Sequence, residues 1–222
     1  MKRKAEKKRH ILKAGLAVIA VMLLLAGTGC RSMIELAKME QAARLEPKPM
    51  KVEEFCSEAE GYHYPGFRWG DDFSAFQRAT DFSVTDMEGY TEEETVYTAS
   101  ELKVALLDRV NDAAAVGCRG KDLVAFVSLN YEKKANESEE FDTFAKALRE
   151  QLVQAFGEPV ETLEHNEEVN GKLYNYKTEF WRKLVGEKLT ELQLGTATLP
   201  GSSSPNYLSI GVNFRTEEDT AQ

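Results

Sequence analysis

Histidine and cysteine are scarce, three of each in 222 residues. Beyond residue 30 only His63 and His165 remain, and no close Cys/His spacing occurs, so no metal centre is expected. The sequence has no GxSxG elbow and no glycine fingerprint of a Rossmann or P-loop body, which argues against an α/β hydrolase and against nucleotide binding. None of its acidic clusters has the alternating spacing and glycine of a calcium loop. No cofactor and no catalytic constellation are expected: a nucleophilic triad has only His63 or His165 as its base, and paired carboxylates occur by chance in so acidic a chain. Long apolar runs are also short here. The charge-free block from Ala14 to Ala26 covers about 20 Å as a helix, less than the roughly 30 Å of a bilayer core.

That block has a particular setting. Seven bases (Lys2, Arg3, Lys4, Lys7, Lys8, Arg9 and Lys13) precede it against one acid, Glu6, and small residues follow it. A basic start, a short apolar middle and a small-residue exit form the pattern of a secretory signal peptide. The competing reading is an uncleaved anchor over Ile11–Gly29 with Lys13 snorkelling to the headgroups. The ending "AGTG" followed by Cys30 resembles the lipobox of bacterial lipoproteins. Ala26, Gly29 and Cys30 match it, while Gly27 stands where most members carry Leu. The resemblance implies that residues 1–29 are removed and that Cys30, diacylglycerated on its thiol, becomes the N-terminus. The body is then tethered on the extracytoplasmic face of the cell membrane or outer membrane, each buried methylene contributing about 0.8 kcal/mol.

Without the leader's seven bases and one acid, 21 basic and 36 acidic residues remain, a net charge of −15 for residues 30–222. Such a body is repelled by phosphate backbones and anionic headgroups, which excludes nucleic acid as a partner and leaves the lipid to hold the membrane. Cys56 and Cys118 are an even pair. Outside the cytoplasm they can close a disulfide loop of about 63 residues, stabilising by roughly 4 kcal/mol, or remain two buried thiols.

The chain divides into the leader (1–29), a lipid-anchored tether (30–60), one globular domain (61–216) and an acidic tail (217–222). A short amphipathic helix over Ile34–Leu45 ends at "EPKPM". In the domain, Asp71 or Asp72 can cap a short helix carrying Phe73, Phe76 and Ala79, and an acidic loop follows it. "VYTASELKVALL" suits strand or helix; "DAAAVGCRG" and "DLVAFVSLNYE" suit strands. The clearest helix is "SEEFDTFAKALREQLVQAFGEP", with an apolar stripe from Phe141 to Phe156, a cap at Asn136 or Ser138, and Gly157 and Pro159 at its end. His165 falls in a turn, and three strands close the domain, among them one with Tyr174, Tyr176, Thr178 and Phe180 alternating.

The expected fold is therefore α+β, mainly antiparallel sheet with one long and one short helix packed on it, and the two halves can be a diverged tandem repeat. "FRWGDDFSAFQ" and the helix ending in "FGEP" resemble uncharacterised secreted or lipid-anchored bacterial proteins. They are also similar to the small lipoproteins of outer-membrane assembly, which implies this architecture and nothing finer. The aromatic group Tyr62, Tyr64, Phe67 and Trp69 either opens the core or forms a binding patch. The functional expectation is a non-enzymatic, lipid-anchored envelope protein that binds another envelope protein through a sheet face or that patch. The alternative is an extracytoplasmic hydrolase of cell wall or peptide, working through His63 or an acid.

Overall fold

The computed structural model describes residues 47–80, 86–89, 94–98, 102–119 and 123–215; the leader, Cys30, the 34–45 helix and the acidic tail lie outside the described residues. In chain order the elements are β1 (Lys48–Pro49), a 3-10 turn (Val52–Phe55), β2 (Cys56–Ser57), β3 (Gly61–Tyr62), α1 (Phe73–Thr80), β4 (Asp86–Gly89), β5 (Glu94–Thr98), β6 (Val104–Leu106), β7 (Arg109–Val110), β8 (Ala113–Arg119) and β9 (Leu123–Glu132). Then follow α2 (Ser138–Phe156), β10 (Glu161–Val169), β11 (Lys172–Val185), β12 (Lys188–Thr198) and β13 (Tyr207–Arg215).

Eight strands form one sheet in the order β10-β11-β12-β13-β9-β8-β5-β4, and every neighbouring pair is antiparallel. Alternation decides its two faces. Leu208, Ile210 and Val212 of β13 stand opposite Tyr131, Leu129 and Val127 of β9, and all six are buried. Onto this face α2 lays Phe141, Phe144, Leu148 and Leu152, also buried. The expected caps at Asn136 and Ser138 do not form: Glu137 is the N-cap, and its carbonyl accepts the Phe141 N–H at 2.9 Å. The helix ends as expected at Gly157, whose φ of +81° is open to glycine. Asp72 caps α1, its Oδ1 accepting the Ala75 N–H at 2.7 Å.

Behind α2 a small sheet of β1, β6 and β7 closes the core with Met50, Val104 and Leu106. The Arg109 guanidinium lies 5.0 Å from the Phe141 ring centre and 5.6 Å from that of Phe144. In β1 the Lys48 and Met50 N–H groups donate to the Lys103 and Ala105 carbonyls at 3.0 Å, while Pro49 between them has no donor to place. Met50, Val52 and Phe55 are buried. Residues 48–60 thus belong to the folded body, ahead of the expected boundary at residue 61: Pro49 is compatible with an edge strand.

Three further expectations change. Residues 86–89, read as loop, form β4. His165 lies inside β10, and the turn comes later, at Asn170–Gly171, both with positive φ. The ambiguous "VYTASELKVALL" becomes two strands, β5 and β6. The fold is dominated by sheet rather than balanced between helix and strand. Residues 46–222 form one compact unit.

Candidate binding face

The aromatic group singled out in the sequence belongs to the core. Tyr62, Tyr64, Phe67 and Trp69 are each no more than 6% exposed, so they offer no patch. Their segment folds down on the sheet because β3 docks on β12: the Tyr62 N–H donates to Thr190 Oγ1 at 2.9 Å. At Gly61 (φ +69°) a β-carbon would come within 2.3 Å of that same oxygen. The Trp69 indole N–H donates to the Tyr62 carbonyl at 2.6 Å, and its ring packs on Phe67 and Phe214. Burial, reinforced by Cys56, pushes the Tyr62 hydroxyl up to about 12. Trp181 is core as well, its N–H donating to the Gly157 carbonyl at 2.7 Å.

Cys56 and Cys118 are not joined by a disulfide. Cys56 pairs with Tyr62 and approaches Lys183 of β11, whereas Cys118 lies in β8, four strands from β11. His63 is half-buried, with Nδ1 3.0 Å from the Tyr64 carbonyl. His165 is exposed and stacks on Tyr176, ring centres 5.2 Å apart. His63, in the loop after β3, and His165, in β10, thus meet in no common site. Among the described residues no three of His, Cys, Asp and Glu gather as a metal-binding group, and no helix is long and apolar enough to cross a membrane.

The sheet face turned away from the helices is the distinctive surface. On it alternate the residues that register places between the core positions: Ser128 and Asn130 of β9, Ser209 and Tyr207 of β13, Gly195 and Ala197 of β12, Tyr176 and Thr178 of β11. Small residues at the middle and larger ones at the sides leave a groove of about 440 Å³. Its floor is Gly195, Ala197 and Ser209; Tyr176 and Thr178 stand on one side, Asn130 and Glu132 with Tyr207 on the other, and Ala113 of β8 lies beyond Asn130. The floor cannot rise easily, since a β-carbon at Gly195 would lie 2.6 Å from Ser209 Oγ.

Electrostatically the groove is one-sided. Its charged lining residues are Asp112 and Glu132. Burial resists ionisation of Asp112, but the Glu132 N–H at 2.8 Å and Lys134 at 3.2 Å outweigh it, and the carboxyl is held below its ordinary range. Burial raises the Tyr207 hydroxyl, helped by Glu132 and Tyr174; burial, then Glu167 and Tyr174, raise that of Tyr176. A second cavity, about 530 Å³ between α2 and the sheet, is crossed by the Arg149–Glu179 pair that ties these elements together.

Sequence reasoning found the alternation in β11 but not its significance. The available signal was small residues at alternate positions in several strands: Ala113 and Ala115, Gly195 and Ala197, Ser209 and Gly211. Stacking and hydrogen bonding are what this face can do chemically. No protein-family model matches the chain, and none of the curated proteins matches it in sequence.

Proposed function

We infer that the protein is a lipid-anchored, extracytoplasmic binding module of the bacterial cell envelope, which engages another envelope protein through the open face of its sheet. The observation that carries the binding reading is the groove itself: tyrosine, threonine, asparagine and small residues line one face of the sheet, while α2 packs on the other. Alternation makes that face polar, and its small central residues turn it from a flat solvated surface into a groove flanked by tyrosines. Anchoring rests on Ala26, Gly29 and Cys30 and on a body too acidic to hold an anionic surface by charge.

The finer architectural reading is a diverged duplication. A helix precedes four strands of the large sheet in each half, α1 before β4, β5, β8 and β9, and α2 before β10 to β13. The halves meet antiparallel through their last strands, β9 and β13, as a twofold-related pair would.

Two measurements test the functional reading. Intact mass from native membranes should equal residues 30–222 plus acyl chains; a mass retaining residues 1–29 would mean an anchor helix instead. A photocrosslinking amino acid at Ser209 should form an adduct with an envelope protein, and one at exposed Glu150 on α2 should not. Equal labelling at both, or none at Ser209, would remove the groove as the binding surface.

A further inference from the structure

We propose that the groove accepts an arginine or lysine side chain from an extended segment of the protein partner, with the cation seated between Tyr176 and Tyr207 and its charge met by Glu132. This rests on the binding reading above and specifies the partner's chemistry.

The groove's charge has one sign. Asp112 and Glu132 line it, and no basic residue does. Lys134 is already paired with Asp112 at 3.2 Å, and Lys177 projects from the opposite face to Glu179 at 3.3 Å. Asp112 is therefore largely neutralised, which leaves Glu132, exposed at the end of β9, as the carboxylate available to a guest. It lies directly across from Tyr207 in the strand register, close enough to help raise that hydroxyl's pKa.

Rings supply the second component. Tyr174 is buried and serves as a backing: its centre lies 5.9 Å from that of Tyr207 and 6.2 Å from that of Tyr176, at interplanar angles of 61° and 52°. The rings therefore border a slot instead of stacking into a closed column. Tyr176 is held upright by His165, stacked against it at 11°. Aromatic faces beside a carboxylate attract a guanidinium or ammonium group more strongly than any neutral guest, by cation–π and Coulomb attraction together.

The surroundings extend the same preference. Beside the groove, β10 pairs only with β11 and leaves an open edge; Glu167 stands on the groove's face, Glu161 is held by Arg182, and Glu164 and Glu168 alternate to the other face. Glu167 lies close enough to Tyr176 to raise its hydroxyl pKa. An extended basic segment laid along this edge would find backbone partners and acidic side chains together. A second copy would bring carboxylates against carboxylates, and an anionic lipid surface would be repelled.

The test uses the mature lipid-anchored protein in detergent and a nine-residue peptide alternating arginine with threonine. Matched peptides carry citrulline, the uncharged isostere, or glutamate in place of arginine. The arginine peptide should bind, the citrulline peptide at least tenfold more weakly and the glutamate peptide not at all. Tyr207→Ala and Glu132→Gln should each weaken arginine-peptide binding at least fivefold without changing the circular dichroism spectrum, and Glu132→Lys should abolish it. Equal binding of arginine and citrulline peptides, or no arginine-peptide binding at millimolar concentration, overturns the inference. The binding reading fails separately: if the Ser209 crosslink persists in Glu132→Lys, a partner uses the groove without a basic anchor, whereas loss of all Ser209 adducts in the unaltered protein removes the partner altogether. A Ser209 adduct of twice the protein's own mass would assign the face to a second copy and also overturn the inference.

Discussion

Glu179 is a carboxylate buried between α2 and β11. Arg149 donates to it three times, at 2.9 to 3.1 Å, and Lys177 stands at 3.3 Å. Burial alone would raise its pKa, but these cations outweigh burial and lower it. A carboxyl depressed in the folded state stabilises above its unfolded value, about 4.3, and that contribution disappears as pH falls through the lower folded value. The urea midpoint of the protein should therefore fall on acidification below about pH 4, and less steeply in Glu179→Gln. Arg149→Ala leaves a buried carboxylate with one partner and should cost about 2 kcal/mol at pH 7. A different constraint acts at Gly117, on the groove side of β8, where a β-carbon would lie 1.8 Å from the Phe126 ring. Gly117→Ala should destabilise by about 1 to 3 kcal/mol in thermal unfolding, and adding Phe126→Leu should restore part of the loss.

At the scale of elements, the sheet is uneven in security. β9 and β13 pair with each other at its centre, each with a second neighbour, and bury Val127, Leu129, Ile210 and Val212 beneath α2. β10 has one neighbour and is exposed along nearly its whole length. Amide exchange should accordingly be slowest in β9 and β13 and fastest, among β9 to β13, at the outward amides of β10. Comparable protection in β10 would show that something covers the edge. Glu164, Glu167 and Glu168 on that edge oppose strand pairing between copies while leaving its backbone open to a segment of opposite charge.

For the whole molecule, the consequential feature is how early the body begins. β1 and the 3-10 turn complete the layer behind α2, so residues 48–60 belong to the packed body. Phe55, almost wholly buried, should behave as a core residue: Phe55→Ala is expected to cost about 3 to 5 kcal/mol in chemical denaturation. A change under 1 kcal/mol would return residues 48–60 to the tether.

The sequence by itself determined what local chemistry can encode. The α2 stripe and its glycine end, an α1 cap at Asp71 or Asp72, the antiparallel runs and the net charge of −15 for residues 30–222 all follow from spacing, propensity and composition. Tertiary structure decided which face of each strand met the helices. Alternation in β11 is the same whether Tyr176 or Lys177 faces inward; the register with β12 and the packing of α2 select Lys177's side and leave Tyr176 outward. The same long-range packing drew Tyr62, Tyr64, Phe67 and Trp69 into the core, although a cluster of rings on a proline- and glycine-containing segment has no periodicity that marks it as buried. It also left Cys56 and Cys118 unjoined, the one in the small β2–β3 sheet and the other in β8 of the large one, a separation that sequence spacing does not reveal.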